Sequence, residues 1–326
     1  MVDCLQEQFL EWRYGPPLGA APRASPPTAS GAGNPAGWAT RRLPLNMLPT
    51  FLVIGAAKAG TTSLYEYLRA HPQIFMPQRK EPDFFSLPER WDRGLDWYES
   101  LFRRADDALA VGEASTSYSK HPHLPDVPER IASVIPEAQL IYMLREPIAR
   151  MRSQYLFRVV NEWEKRPIEE ALLEDPLYID CSRYAHQLEQ YLTVFERDRI
   201  LIITSEGLQQ NRLKTISSVY RFLGVDSTIG PAVLKSEFNR AVDKRVSRGR
   251  LLNRDTLRRI PGYKDLAPYI PDAFKSLVTR PVSKRVDVGK TRIGEPFRRE
   301  LEIKLRDDVC RLRTYMTDDF DGWGIA

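Results

Sequence analysis

Cysteine is scarce in this sequence, and long apolar runs are absent. The three cysteines among 326 residues, Cys4, Cys181 and Cys310, lie far apart, and no C-x-x-C or C…H spacing joins them. Neither a disulfide framework nor a zinc site is therefore predicted, and a reducing compartment is favoured. The sequence has no apolar run of about eighteen residues and no basic stretch followed by an apolar core at its start, so neither a membrane span nor a secretory signal is predicted. We expect a cytoplasmic protein.

A strong excess of charge of one sign is also missing. The sequence has 48 basic and 43 acidic residues and a net charge of +5. This balance fits a protein that handles anions, but it describes a mixed surface and not a polycation that binds nucleic acid. We therefore expect an anionic ligand and no nucleic-acid partner.

The first part of the chain is rich in glycine and proline. Residues 15–37 contain eleven Gly or Pro in 23 positions, and such a composition does not pack a core. We predict that residues 1–47 are a disordered or linker segment. The sequence is 42% apolar, which allows the remaining length to bury one large core, and the order of its motifs favours a single domain over residues 48–326.

The segment FLVIGAAKAGTTSL, residues 51–64, predicts a buried strand, a glycine turn and the first turn of a helix. Gly55 and Gly60 bracket a turn with little side-chain bulk, which lets an anion approach the backbone. The N–H groups at a helix start have no intrahelical partner and the helix dipole is positive there, so they favour a phosphate. Lys58 adds a full charge. A nucleotide triphosphatase has G-x-x-x-x-G-K-[ST], but here Thr61 follows Gly60 and the only lysine lies inside the loop.

Strands and helices alternate along the rest of the chain. The predicted strands are 51–54, 109–112, 139–144 and 200–204. The predicted helices are 61–70, 91–102, 184–195, 213–223 and 296–317, with one more after Pro147, while 73–85 is predicted to be irregular. This alternation predicts an α/β fold, with a P-loop-like central parallel β-sheet flanked by helices on both faces.

Two polar positions follow the third predicted strand. Arg145 comes directly after the strand, and Ser153 lies on the helix that Pro147 begins. Taken alone, they are a helix-flanking charge and a surface hydroxyl. A later segment, 240–259, has eight basic and two acidic residues. It is either a solvated charged surface or a mobile lid over an anionic ligand.

Taken in order, these motifs resemble sulfotransferases that use 3′-phosphoadenosine 5′-phosphosulfate (PAPS), particularly bacterial members and the heparan sulfate branch. The loop with its lysine ahead of the second glycine resembles the family's 5′-phosphosulfate loop, and LREPIARMRSQY resembles its 3′-phosphate-binding segment. The motifs KEPDFFS, GLDWY, GEASTSY, FLGV and, in part, DFDGW keep the order seen in the family. The resemblance spans about residues 48–324.

The resemblance implies a donor, a reaction and a set of site residues. A sulfuryl group would move from PAPS to a hydroxyl or amine of a small-molecule, lipid or carbohydrate acceptor, without an obligatory metal. Lys58 would act on the transferring group, while Arg145 and Ser153 would hold the 3′-phosphate. The implied donor-binding residues are Lys58, Ala59, Gly60, Thr61, Thr62, Ser63, Arg145, Ser153, Arg248 and Gly249. The last two would belong to the basic lid.

The resemblance also implies a general base for the acceptor. Glu81 in KEPDFF matches the glutamate with this role in the heparan sulfate branch. Burial beside Phe84 and Phe85 would raise its pKa toward neutrality, whereas Lys80 opposes that shift. A structural hydrogen bond is the alternative role for Glu81. The remaining candidates for the base rank below it and are the histidines at a helix end and in a proline-containing loop: His71, His121 and His123.

One position departs from the heparan sulfate branch. That branch usually has a lysine where this chain has Ala114, and the lysine contributes to sulfuryl transfer or substrate contact. Its absence weakens the expectation of a heparan-type acceptor and leaves the donor site unchanged.

A second function class stays open at this point. The glycine loop is also compatible with a P-loop kinase of a small molecule, and less so with a nucleotide-binding module without catalysis. The missing lysine after Gly60, together with Arg145 and Ser153, favours the sulfotransferase.

Overall fold

The computed structural model describes residues 48–105, 107–228, 292–317 and 319–326, together with the backbone of 246–248 and 282–284. The predicted linker, residues 1–47, lies outside the described residues. The single domain over 48–326 stays a prediction, because most of 229–291 also lies outside them.

A five-stranded parallel sheet forms the centre of the described part of the chain. Its strands are β1 (Phe51–Gly55), β2 (Ile74–Phe75), β3 (Ala110–Ala114), β4 (Gln139–Leu144) and β5 (Ile200–Thr204). They lie in the order β2-β3-β1-β4-β5, and every neighbouring pair is parallel. A separate antiparallel pair joins β6 (Val246–Arg248) and β7 (Val282–Lys284).

Helices flank the sheet. They are α1 (Thr61–Arg69), α2 (Pro88–Trp91), α3 (Leu95–Glu99), α4 (Val127–Val134), α5 (Pro147–Val160), α6 (Ile168–Glu174), α7 (Pro176–Asp180), α8 (Tyr184–Tyr191), α9 (Ser205–Gln210), α10 (Arg212–Phe222) and α11 (Glu295–Arg313). Short 3-10 turns cover Ser100–Phe102, Arg197–Arg199 and Gly322–Gly324. The predicted α/β fold with a central parallel sheet is confirmed.

Strand β1 lies in the middle of the sheet because its sequence is continuously apolar. All five of its residues are buried, as are five of the six residues of β4. Strands covered on both faces of a parallel sheet have this pattern. From β1 the chain passes to β2 and β3 on one side and then crosses to β4 and β5 on the other. The loop after β1 therefore lies at the point where the strand order reverses, which is where open α/β sheets bind ligands.

Several element boundaries differ from the predicted ones. The stretch 73–85, predicted to be irregular, begins with the short strand β2, which pairs with β3. The predicted helix 91–102 is broken into α2, α3 and a 3-10 turn, because Gly94 between them has a positive φ of 77°. Strand β3 runs two residues further than predicted, since its register with β1 extends to Ala114.

The predicted helices 184–195 and 296–317 end earlier, at Tyr191 and Arg313. The short helices α4, α6, α7 and α9 were not predicted, because segments of this length carry too few turns for a clear apolar period.

A second apolar core fixes the helix that follows β4. Helix α11 presents its predicted stripe to this core through Phe297, Leu301, Leu305 and Val309, which pack against Ile148, Met151 and Tyr155 of α5. The Asp308 carboxylate of α11 also accepts hydrogen bonds from the backbone N–H groups of Ala185 and His186 at the start of α8. Helix α11 thus holds α5 and α8 in place behind the sheet.

In the described part of the chain, no helix is both long and apolar enough to cross a membrane.

Candidate active site

The glycine loop after β1 has the geometry of an anion site. Gly60 ends the loop with a φ of 101°, at which any residue with a Cβ is strained, and a Cβ there would also lie 3.0 Å from the Met143 side chain. Helix α1 begins at Thr61, and its N-cap residue, Gly60, has no side chain to cap the first turn. The N–H groups of Thr61 and Thr62 precede the first hydrogen bond of the helix, which Ser63 donates to the Gly60 carbonyl, so they are the donors that this turn offers at the positive end of the dipole. The predicted strand, turn and helix are confirmed.

Lys58 lies between this loop and helix α5. Its backbone is left-handed, with a φ of 71°, and its side chain is half-buried. The ammonium lies 4.1 Å from the centre of the Phe157 ring on α5. A cation at this distance from an aromatic face is attracted by the ring quadrupole. The charge of Lys58 is thus kept beside the loop, on the α5 side.

Arg145 contacts the same loop from the end of β4. Its guanidinium donates a hydrogen bond of 3.3 Å to the backbone carbonyl of Lys58. Its own carbonyl accepts a hydrogen bond of 2.8 Å from the Tyr184 hydroxyl. Ser153 is half-buried on the second turn of α5, the helix that starts two residues after Arg145. The structure therefore brings Arg145 to the loop and puts Ser153 on the adjoining helix.

Glu81 lies across the loop from Arg145, on the segment between β2 and α2. Its backbone N–H donates to the carbonyl of Ala114 at the end of β3, at 3.0 Å. Its carboxylate accepts hydrogen bonds from Thr116, at 3.1 Å, and from the Lys80 ammonium, at 3.2 Å. The same ammonium lies 3.3 Å from the hydroxyl of Thr61. The Lys80 side chain therefore bridges the Glu81 carboxylate and the first turn of α1.

A buried acidic network, which the sequence analysis missed, supports the Glu81 segment. Asp83 and Glu113 are both fully buried. Glu113 accepts hydrogen bonds from Tyr118 at 2.5 Å, Ser115 at 2.9 Å and Tyr98 at 3.3 Å. Burial raises the pKa of Glu113 to about 8 and the charge of Asp83 adds to the rise, although the three hydrogen bonds oppose it. At neutral pH the Glu113 carboxyl is therefore mostly protonated.

Hydroxyl groups join this network to the Glu81 segment. The hydroxyl of Ser117 donates to the Asp83 carboxylate at 2.5 Å, and that of Ser115 accepts from the Asp83 backbone N–H at 3.0 Å. The segment is thus bonded to the end of β3 on both sides of Pro82. The one available signal in the sequence was the hydroxyl-rich run Ser115-Thr116-Ser117 directly after a strand.

Arg150 is a second residue that the sequence did not single out. It is fully buried on α5, and its guanidinium donates to Ser182, Gln154 and the carbonyl of Tyr178, at 2.6 to 2.7 Å. A fourth, longer bond of 3.4 Å reaches the carbonyl of Ala57 in the anion loop. Arg150 thus ties the loop to α5 and to the segment before α8. Nothing in the sequence distinguishes Arg150 from Arg152, which lies two residues later.

The three histidines that rank below Glu81 are engaged elsewhere. His71 is buried past the end of α1, about 13 Å along the helix from its start. It contacts the carbonyl of Asp226 and the ring of Tyr220. His121 pairs with His186 and His123 with Asp180, each at 3.0 Å between the polar atoms. These partners lie on or beside α7 and α8, away from the contacts of Glu81.

The remaining residues predicted to bind the donor lie partly in the anion loop and partly outside the described residues. Ala59, Thr62 and Ser63 lie in the loop and the first turn of α1, as predicted, and the Ser63 N–H donates to the carbonyl of Gly60 at 2.9 Å. The side chain of Arg248 and all of Gly249 lie outside the described residues, so the lid stays a prediction. Among the described residues, no three His, Cys, Asp or Glu side chains are grouped to hold a metal ion.

Comparison with known proteins gives the family. The family model described as "Sulfotransferase domain" matches residues 48–257. Human bifunctional heparan sulfate N-deacetylase/N-sulfotransferase 3 is 30% identical over an alignment of 199 residues, and the match covers 55% of this chain and 22% of that protein. Human heparan sulfate glucosamine 3-O-sulfotransferase 3B1 is 30% identical over an alignment of 192 residues, and the match covers 56% of this chain and 47% of that protein. The chain thus matches less than half the length of either relative.

A solved structure shares the fold over nearly its whole length. The sulfotransferase from Alicyclobacillus acidocaldarius superposes with a TM-score of 0.62 at 26% identity, covering 86% of this chain and 100% of that one. Together with the family match over more than half of the sequence and the anion loop at the sheet edge, this shows that the chain belongs to the sulfotransferase family and is related to its heparan sulfate branch.

Proposed function

We propose that this protein transfers a sulfuryl group from PAPS to a hydroxyl or amine of an acceptor. The observation that carries the proposal is the meeting of three groups at one edge of the sheet: the anion loop, Arg145 bonded to it, and Glu81 linked to it through Lys80. A phosphosulfate needs N–H donors and positive charge, a 3′-phosphate needs a cation of its own, and the acceptor needs a base.

The reaction assigns one task to each group. The acceptor oxygen or nitrogen attacks the sulfur while its proton passes to the Glu81 carboxylate. The bond between the sulfur and the bridging oxygen of the 5′-phosphate breaks, and its electron pair leaves with the adenosine 3′,5′-bisphosphate. Negative charge grows on this oxygen, where Lys58 and the first N–H groups of α1 stabilise it.

Lys58 must change its contact to do this. Its ammonium now lies over Phe157. A bond to a charged oxygen is stronger than attraction to a ring at a half-exposed site, so a bound phosphosulfate would draw the ammonium from α5 to the loop.

The class of acceptor is inferred from the relatives and from Ala114. Relatives whose names specify heparan sulfate support a carbohydrate acceptor. Ala114, in place of the lysine expected in that branch, argues for an acceptor other than heparan sulfate itself, so small molecules and lipids belong in the screen.

We propose a reducing, cytoplasmic location from the free thiols of Cys181 and Cys310, which cell fractionation tests.

A ligand-stability experiment tests the donor. A ligand that binds only the native state raises its stability by mass action. We expect adenosine 3′,5′-bisphosphate to raise the thermal unfolding midpoint in the presence of a metal chelator. Stabilisation by magnesium-ATP alone would instead support a kinase, which the family match and Thr61 after Gly60 do not favour. Transfer of label from PAPS across acceptor classes then identifies the acceptor.

A further inference from the structure

Lys80 joins the anion loop to the proposed base. Its ammonium lies 3.3 Å from the hydroxyl of Thr61, 3.4 Å from that of Thr62 and 3.2 Å from a carboxylate oxygen of Glu81. Its side chain is only 19% exposed. The Lys80 ammonium thus connects the Glu81 segment with the first turn of α1. Lys80 follows Thr61 by 19 residues and Thr62 by 18 residues in the chain.

These contacts fix the direction of two hydroxyl groups. An ammonium donates hydrogen bonds and accepts none, so the oxygens of Thr61 and Thr62 must be the acceptors. The hydroxyl protons of both threonines then point away from Lys80. Both residues lie on the turn whose backbone N–H groups face the anion loop. Lys80 therefore leaves the two hydroxyls as donors for an anion at that turn.

We propose that Lys80 is a second cationic contact for the 5′-phosphosulfate of the donor, and that it orients Thr61 and Thr62 toward that group. The inference rests on the proposed function and extends it. It gives the loop two lysines that approach from opposite sides, Lys58 from α5 and Lys80 from the Glu81 segment.

The shared contact with Glu81 adds a link between proton transfer and bond breaking. Before the reaction, the Glu81 carboxylate balances the charge of Lys80. When Glu81 takes the proton of the acceptor it becomes neutral, and Lys80, which keeps its own proton, is left facing the phosphate. The uncompensated positive charge appears beside the leaving group as the sulfur–oxygen bond breaks and electrons move to the phosphate.

Two nucleotides that differ only in the 5′-phosphate test the contact. The Lys80→Met variant keeps the length of the stem and removes the charge. We expect it to bind adenosine 3′,5′-bisphosphate about tenfold to a hundredfold more weakly, while its affinity for adenosine 3′-phosphate stays at the wild-type value. Lys80→Arg should restore most of the loss, because it returns the positive charge. Titration calorimetry, with competition for the weaker ligand, measures both affinities.

Lys304→Met is the matched control. Lys304 pairs with Glu300 at 3.7 Å on the exposed side of α11, so this variant loses one lysine charge without touching the loop. It should bind both nucleotides as the wild type does. Equal losses of both nucleotides in Lys80→Met would show a general disturbance of the site and overturn the inference. Unchanged affinity for the bisphosphate would overturn it as well.

The outcomes separate this inference from the proposed function. If the wild type binds neither nucleotide, the donor assignment itself is wrong. If it binds the bisphosphate and Lys80→Met does so equally well, the donor assignment stands and only Lys80 is misassigned. Should Lys80→Met fail to fold, as judged by its thermal unfolding, the affinities of a Lys80→Gln variant, which also removes the charge, and of a Thr61→Val variant decide. Both variants must then bind the bisphosphate more weakly and adenosine 3′-phosphate as the wild type does; otherwise the inference is overturned.

Discussion

Replacing Glu113 by glutamine should remove a pH dependence from the stability of this protein. The Glu113 carboxyl is fully buried between Tyr98, Tyr118 and Ser115, and burial raises its pKa from 4.5 to about 8. The folded state therefore holds this proton more tightly than the unfolded state does. The resulting stability is fully present below about pH 4.5 and is lost as the pH rises to about 8.

The size of the effect follows from the shift. Within that window the loss is at most about 1.4 kcal/mol per pH unit for one group. Between about pH 6 and about pH 8 the Glu113 carboxyl should therefore cost roughly 2 kcal/mol of unfolding free energy. An amide of the same shape still accepts from the two tyrosines and does not ionise. The difference in stability between Glu113→Gln and the wild type should consequently move in favour of the variant as the pH rises.

Urea unfolding at a series of pH values measures this difference. Ser86→Ala is the control, because Ser86 belongs to the same network through Ser117 but does not touch the Glu113 carboxyl. It should lower stability by a similar amount at every pH. Parallel pH curves for the wild type and Glu113→Gln would refute the argument that Glu113 is protonated in the folded state.

Three further predictions concern the proposed reaction. Lys58→Ala should lower sulfuryl transfer about a hundredfold or more with little change in unfolding temperature, since it removes a charge at the transferring group, and near wild-type turnover would contradict its role. Arg145→Ala, and more weakly Ser153→Ala, should reduce affinity for PAPS far more than for adenosine 5′-phosphosulfate; equal losses would mean that Arg145 acts only through the Lys58 carbonyl. Glu81→Gln should lower the single-turnover rate by roughly a hundred- to ten-thousandfold, keep nucleotide affinity and lose the rise of rate with pH. If Glu81→Gln stays active, the base is another group.

The anion loop could be predicted from sequence because its requirements are local. A buried apolar strand, a glycine that must adopt positive φ and a helix start follow one another within fourteen residues, and each leaves a mark on residue type. The same holds for β4 and Arg145, which follow one another directly. The segment that carries Glu81 was placed only through the family resemblance.

The supporting contacts could not be predicted, since they join residues that are distant in sequence. Glu113 interrupts a strand that is otherwise apolar, and its partner Tyr98 comes from α3. Arg150 has the same charge and nearly the same position as Arg152, and only packing decides that Arg150 is the buried one. The break between α2 and α3 was missed because Gly94 permits either a helix interior at modest cost or a turn.

The docking of helix α11 is coupled to the affinity of the donor site. It comes more than 140 residues after Ser153 in the chain, yet it shares a core with α5, the helix that carries Ser153. A nucleotide that binds only when α5 is in place also favours the docked position of α11, and by reciprocity full undocking of α11 weakens the nucleotide by the same factor. Substitutions at Leu301 or Leu305 would therefore lower the affinity for the donor, although both side chains lie in the second core.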